Sequence, residues 1–112
     1  MRGRAFDGVF ANAALFHVPR AWLPEVLHQL RDALRPGGVL FCSNPRAFER
    51  DMEGWQGERY GSYLTIESWT RIVSAAGFEI ERTFLRPSGN PPSQQPWLAM
   101  TCRCPAARVA PR

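Results

Sequence analysis

The sequence predicts an α/β fold: a parallel strand–helix–strand crossover, then a second helix, then an antiparallel strand pair that closes the sheet. Three observations predict it. Short runs rich in aromatic and β-branched residues, bounded by small polar ones, recur as buried strands. Two segments between them carry apolar residues at helical spacing. The last two runs are joined by a Pro- and Ser-rich link with no helical pattern, which favours antiparallel pairing.

Residues 6–11 (FDGVFA) read as the first strand. From residue 19 to 35, Leu23, Val26, Leu27, Leu30 and Leu34 recur on one face, with Glu25, Gln29, Arg31 and Asp32 opposite, so this is an amphipathic helix. Pro24 is tolerable only in its first turn. Pro36-Gly37-Gly38 stops the helix, since Pro36 disfavours helical geometry at Arg35 and Gly37 can take the positive φ of a helix end. Residues 39–43 (VLFCS) form the second strand, and strand, helix and strand in this order make a right-handed parallel crossover.

Residues 44–63 read as a long irregular stretch with Phe48, Trp55, Tyr60 and Tyr63, the length and composition of a lid or binding loop. Thr65 caps the next helix, Glu67 favours its dipole, and Ile66, Trp69, Ile72, Val73 and Ala76 form its buried face. Gly77 ends it, with Phe78 beyond. Residues 79–85 and 97–104 are the final strands, and the tail from 105 to 112 is expected to be disordered.

At 45% hydrophobic and 12% aromatic residues, the chain can build one real core. No stretch approaches the roughly 18 apolar residues of a membrane span, and no signal peptide precedes the first strand, so a cytoplasmic location is expected. All 14 basic residues are Arg and they are scattered, so the formal charge of +4 reads as a compositional bias rather than a nucleic-acid face. Cys42, Cys102 and Cys104 are odd in number, which argues for reduced thiols. Cys102-x-Cys104 lacks the spacing of a zinc site, and no metal is expected.

Four local patterns carry a resemblance: Phe6-Asp7-Gly8-Val9 through Asn12 with His17 beyond, Leu34-Arg35-Pro36-Gly37-Gly38, Tyr63 to Trp69, and Ala75-Ala76-Gly77-Phe78-Glu79. In this order the chain resembles the carboxy-terminal half of class I methyltransferases that use S-adenosylmethionine (SAM). The resemblance implies a Rossmann-like sheet truncated to its fourth to seventh strands, with residues 1–104 a partial methyltransferase domain. It also implies that Ala11, Asn12 and Ala13 lie against the methionyl part of SAM, because ligands of such sheets settle beyond the carboxyl ends of the strands.

His17 would lie on the acceptor side. It reads either as a general base, being a near-neutral titrating group there, or as a polar residue packing under the helix. Arg59, Tyr60 and Tyr63 read as holders of an anionic or aromatic substrate, or as loop residues folding back onto the core. The implied reaction is methyl transfer to a small-molecule acceptor. The sequence contains no acidic-Gly-x-Gly-x-Gly turn, the family's main grip on SAM, so a fragment is expected. The first reading is a truncated product or a wrong start; otherwise it is half of a split enzyme completed by another polypeptide, or a chain that pairs with a second copy at an open sheet edge. The alternative is a non-catalytic partner-binding or dimerisation module derived from the fold.

Overall fold

A computed structural model describes residues 6–105. Strand β1 (Phe6–Asn12) leads through two short 3₁₀ turns, Leu15–His17 and Arg20–Trp22, into helix α1 (Leu23–Ala33), where Pro24 occupies the first turn. Strand β2 (Leu34–Pro45) runs parallel to β1. A two-stranded ribbon of β3 (Met52–Gln56) and β4 (Arg59–Tyr63) precedes helix α2 (Ile66–Ala75), and β5 (Glu79–Arg86) and β6 (Trp97–Arg103) follow.

The main sheet has the order β1-β2-β6-β5, with β6 antiparallel to both its neighbours. Passing from β1 to β2 through α1, and from β2 to β5 through α2, the chain moves in the same direction across the sheet. Right-handed crossovers therefore put both helices on one face, where they touch each other. The core fills that layer: Leu23 and Leu27 from α1 and Trp69 and Val73 from α2 meet Leu40, Cys42, Met100 and Cys102 from the sheet. Each fully buried Leu contributes about 1.5–3 kcal/mol. The opposite face of the sheet carries no helix from the described residues. There Phe10 is 71% exposed and stacks on Phe41 of the neighbouring strand (ring centroids 4.9 Å, 9° between planes), and Phe84 is also exposed.

Two expectations need correction. The Pro36-Gly37-Gly38 segment does not terminate α1, because the helix ends at Ala33 and Leu34 is already extended (ψ 143°). Gly37 does take a positive φ (83°), but within β2, where the pairing with β1 skips from Phe6↔Leu34 to Gly8↔Val39. A Cβ on Gly38 would lie 2.8 Å from the Arg35 carbonyl oxygen, so the irregularity requires glycine there. The second correction concerns residues 44–63, which are not irregular throughout. Gly57 (φ 63°) and Glu58 join β3 to β4 as a two-residue turn with glycine at the first position. The expected disordered tail lies outside the described residues, apart from Pro105.

Thr65 caps α2 as the sequence indicates, its hydroxyl accepting from the Ser68 N–H (3.2 Å). Gly77 follows with φ 100°, and a Cβ there would meet the Arg31 side chain at 2.7 Å, so conformation and packing both select glycine.

Candidate functional site

The site forms where β1 and β2 end. Ala13 adopts φ 55°, a left-handed conformation unusual for a residue with a Cβ, while its N–H donates to the Ser43 carbonyl (2.7 Å). The chain is thereby turned off the sheet as soon as β1 stops. The buried Asn44 side chain then accepts the Phe16 N–H through Oδ1 (3.1 Å), fixing the turn of Leu15–His17 over the carboxyl end of β2. Polar residues follow an apolar strand here because they tie down the next loop.

A cleft of about 550 Å³ opens beside this turn. Asn12, Ala13 and Ser43 line it from the strand ends, Phe10 and Phe41 from the bare sheet face, and Arg86, Pro87 and Trp97 from the β5–β6 end. The Asn12 side chain makes no hydrogen bond within the described residues, so its donor and acceptor are available to a ligand.

Phe16 separates this cleft from the ribbon. Its ring meets Trp97 edge-on (6.5 Å), Tyr63 at 5.8 Å and the His17 imidazole at 4.0 Å. His17 is exposed, and its Nδ1 lies 3.0 Å from the Tyr60 carbonyl oxygen. A carbonyl only accepts, so Nδ1 carries the proton and the neutral ring presents the lone pair on Nε2.

The ribbon is latched to this region by a polar network. Glu53 accepts from the Tyr60 hydroxyl (2.6 Å) and the Arg20 N–H (2.7 Å), and these bonds hold its carboxyl below the usual glutamate range. Asp51 accepts from the Arg20 guanidinium (2.7 Å), the Ser68 hydroxyl (2.6 Å) and the Thr65 N–H (2.8 Å). Burial pushes the Asp51 carboxyl up, but these three partners outweigh it and hold it below the usual aspartate range. The Ser62 hydroxyl donates to the Val18 carbonyl (2.8 Å).

The sequence-predicted residues divide accordingly. Asn12 and Ala13 line the first cleft, whereas the Ala11 side chain packs against the core on the helix side of the sheet. His17 stands beside them across Phe16. Arg59 and Tyr63 lie on one face of the ribbon, and Tyr60 on the other, with its hydroxyl and carbonyl both engaged. Sequence reasoning missed Asn44 and Arg86, while Trp97 shares the two readings of the ribbon aromatics. Only Asn44 left a signal, as a polar residue closing an apolar run. The three cysteines are buried and unbridged, and the hydrogen bond with Cys102, with burial, pushes the Cys42 thiol up. Among the described residues, no helix is long and apolar enough to cross a membrane.

Comparisons with known proteins agree on the fold. Residues 2–83 match the family model described as a methyltransferase domain. A solved structure from Burkholderia thailandensis, 1,6-didemethyltoxoflavin-N1-methyltransferase with bound 1,6-didemethyltoxoflavin and S-adenosylhomocysteine, is similar at 24% identity and a TM-score of 0.78, over 92% of this chain and 46% of that one. The [4+2]-cyclase SpnF is similar at 16% identity and a TM-score of 0.76, over 96% and 52%. A SAM-dependent methyltransferase from Methanosarcina mazei follows at 12% identity and a TM-score of 0.74, over 95% and 62%. The chain thus spans about half the length of these structures. No curated protein matches it.

Proposed function

The chain belongs to the methyltransferase-domain family, and from that premise we propose that it supplies the cofactor wall and acceptor side of a SAM-dependent methyl transfer to a small molecule. The observation that carries this reading is the placement of Asn12 and Ala13 at the carboxyl end of β1, lining a cleft with an unpartnered polar side chain beside a family match of 82 residues (2–83). The residues fit one end of SAM: the Asn12 amide can both donate to its carboxylate and accept from its ammonium group. Ala11 contributes backbone only.

When bound, SAM supplies a methyl group already activated on a sulfonium, so the protein mainly binds, orients and excludes water. Phe16 and Trp97 form an apolar wall between the cofactor side and the ribbon. His17, if the acceptor must lose a proton, takes it at Nε2, since Nδ1 is committed to Tyr60. Arg59 and Tyr63 face a potential acceptor, and Tyr60 serves by positioning His17. A small acceptor is supported by the Burkholderia thailandensis neighbour, solved with bound 1,6-didemethyltoxoflavin. A cytoplasmic location is supported by three unbridged cysteines.

The uncovered sheet face and the free edge of β1 support a second component of the same reading: a further polypeptide, or a second copy, completes the sheet there. They equally favour the reading of a non-catalytic partner-binding module. Calorimetric titration of the purified chain with SAM and S-adenosylhomocysteine separates the two. We expect saturable binding with Kd at or below about 1 mM, lost in Asn12→Ala. Absence of heat at millimolar ligand removes cofactor binding by this chain alone and leaves the module.

A further inference from the structure

A second cleft, of about 510 Å³, lies between one face of the β3–β4 ribbon and the segment 46–50. Met52, Gln56 and Tyr63 line it from the ribbon, whose centre is unusual for a strand pair. Gly54 and Gly61 sit directly opposite each other, so no side chain rises from the middle of the ribbon on this face. The Tyr63 ring folds back over Gly61, where a Cβ would lie 2.7 Å from it, while the space above Gly54 is open, with nothing within 4 Å of a Cβ there. The Tyr63 ring, which covers Gly61 and lines the cleft, offers a flat aromatic face against which a planar molecule can stack.

The wall opposite is preorganised. The Arg46 guanidinium lies over the Phe48 ring, 4.0 Å from its centroid. Nε donates to the Gln95 carbonyl (2.9 Å) and Nη2 to the Pro92 carbonyl (2.7 Å), which fixes the plane and leaves Nη1 without a partner among the described residues. Phe48 is itself 49% exposed. Arg50 also lines the cleft with no ion pair among the described residues, and Arg59 lies on the same ribbon face, against a single lining carboxylate, Glu49. The lining is therefore aromatic and cationic, with rigid donors, the combination that recognises a flat anion.

We propose that this cleft binds a planar aromatic molecule bearing a carboxylate or comparable anion. This binding is independent of the methyltransferase reading. Tyr63 links the two regions, since its ring borders this cleft and reaches Phe16 at 5.8 Å, the residue that also meets Trp97 of the cofactor wall.

The test is a titration of the 112-residue chain with 2-naphthoate, followed by calorimetry and by amide shifts, without cofactor. Saturable binding is expected, with the largest shifts at Met52, Tyr63 and the 46–50 segment. Arg50→Gln and Phe48→Ala, both at exposed positions outside the core, each weaken it by roughly five-fold or more. The neutral 2-naphthalenemethanol binds more weakly than the acid by a similar factor. No binding at 10-fold above about 1 mM, shifts confined to the Asn12 cleft, equal binding of the alcohol, or indifference to both substitutions would each overturn the proposal. Because no SAM is present, the result stands whichever way the cofactor titration falls.

Discussion

Ala13 shows how a single residue sets the site. At φ 55° it holds a conformation that costs a residue with a Cβ about 1–2 kcal/mol relative to the right-handed one, and the Ser43 carbonyl keeps it there. Replacing Ala by Gly elsewhere in regular structure costs roughly 0.5–1 kcal/mol. At this position the strain relieved offsets that loss, so Ala13→Gly is expected to leave the urea midpoint unchanged or raised. Ala13→Val, with a branched Cβ, lowers stability by about 1–2 kcal/mol. A drop of more than about 1 kcal/mol in the glycine variant contradicts the strained geometry. His17 offers a second check. Nitrogen-15 shifts of the neutral imidazole should report the proton on Nδ1, and a ring protonated on Nε2 would contradict the bond to Tyr60. Neither feature was legible in the sequence. Asn12 and His17 stood out by residue type and by their place after a strand, but a backbone angle and a bond to a carbonyl 43 positions away leave no residue pattern.

At the scale of elements, legibility followed periodicity. The two helices, the cap at Thr65, the stop at Gly77 and the four strands of the main sheet all follow from spacing and caps, because each buries one continuous face. The β3–β4 ribbon escaped detection because its faces are not divided into apolar and polar. Trp55 is 70% exposed, and a glycine pair occupies its centre. The sequence signal that could have found it was Gly57 between two aromatic-bearing runs. What holds the ribbon is polar rather than hydrophobic, and this makes its docking sensitive to acid. Asp51 and Glu53 both have folded pKa values below their unfolded ones. Their contribution is therefore full above the ordinary carboxylate range of about 4 and is lost as the pH falls through the lowered folded values. Hydrogen exchange of the β3 and β4 amides, extrapolated to a common intrinsic rate, should show their protection falling below about pH 4 before that of β2 and β6. Asp51→Asn should blunt the effect, since it keeps much of the shape and abolishes the titration. Equal pH sensitivity of ribbon and sheet would argue against the latch.

For the molecule as a whole, the decisive feature is asymmetry. One face of the sheet is sealed by α1, α2 and a core that includes Trp69 and Leu27. The other exposes Phe10, Phe41 partly, and Phe84, and β1 has no partner along its outer edge among the described residues. Monomers rarely leave a connected aromatic patch beside an unpaired strand, because both features invite association. The open edge was expected from the sequence, through the strands that the resemblance left unaccounted for. The aromatic face was not: Phe6, Phe10 and Phe41 read there as ordinary strand residues, because alternation cannot tell a covered face from a bare one. Phe10 is 71% exposed and its one ring contact is the stack on Phe41, so Phe10→Glu should cost the chain's own stability only about 0.5–1.5 kcal/mol while placing a charge in the patch beside the open edge. Sedimentation of the 112-residue chain is expected to show concentration-dependent association, and the variant should be monomeric over the same range with less binding of a hydrophobic dye. If another polypeptide covers this face instead, the same substitution should abolish its capture while leaving 2-naphthoate binding at the distant ribbon cleft intact. A chain that stays monomeric at high concentration, binds no dye and is indifferent to Phe10→Glu would show that the bare face is tolerated by the free protein, and the completion of the sheet would have to be abandoned.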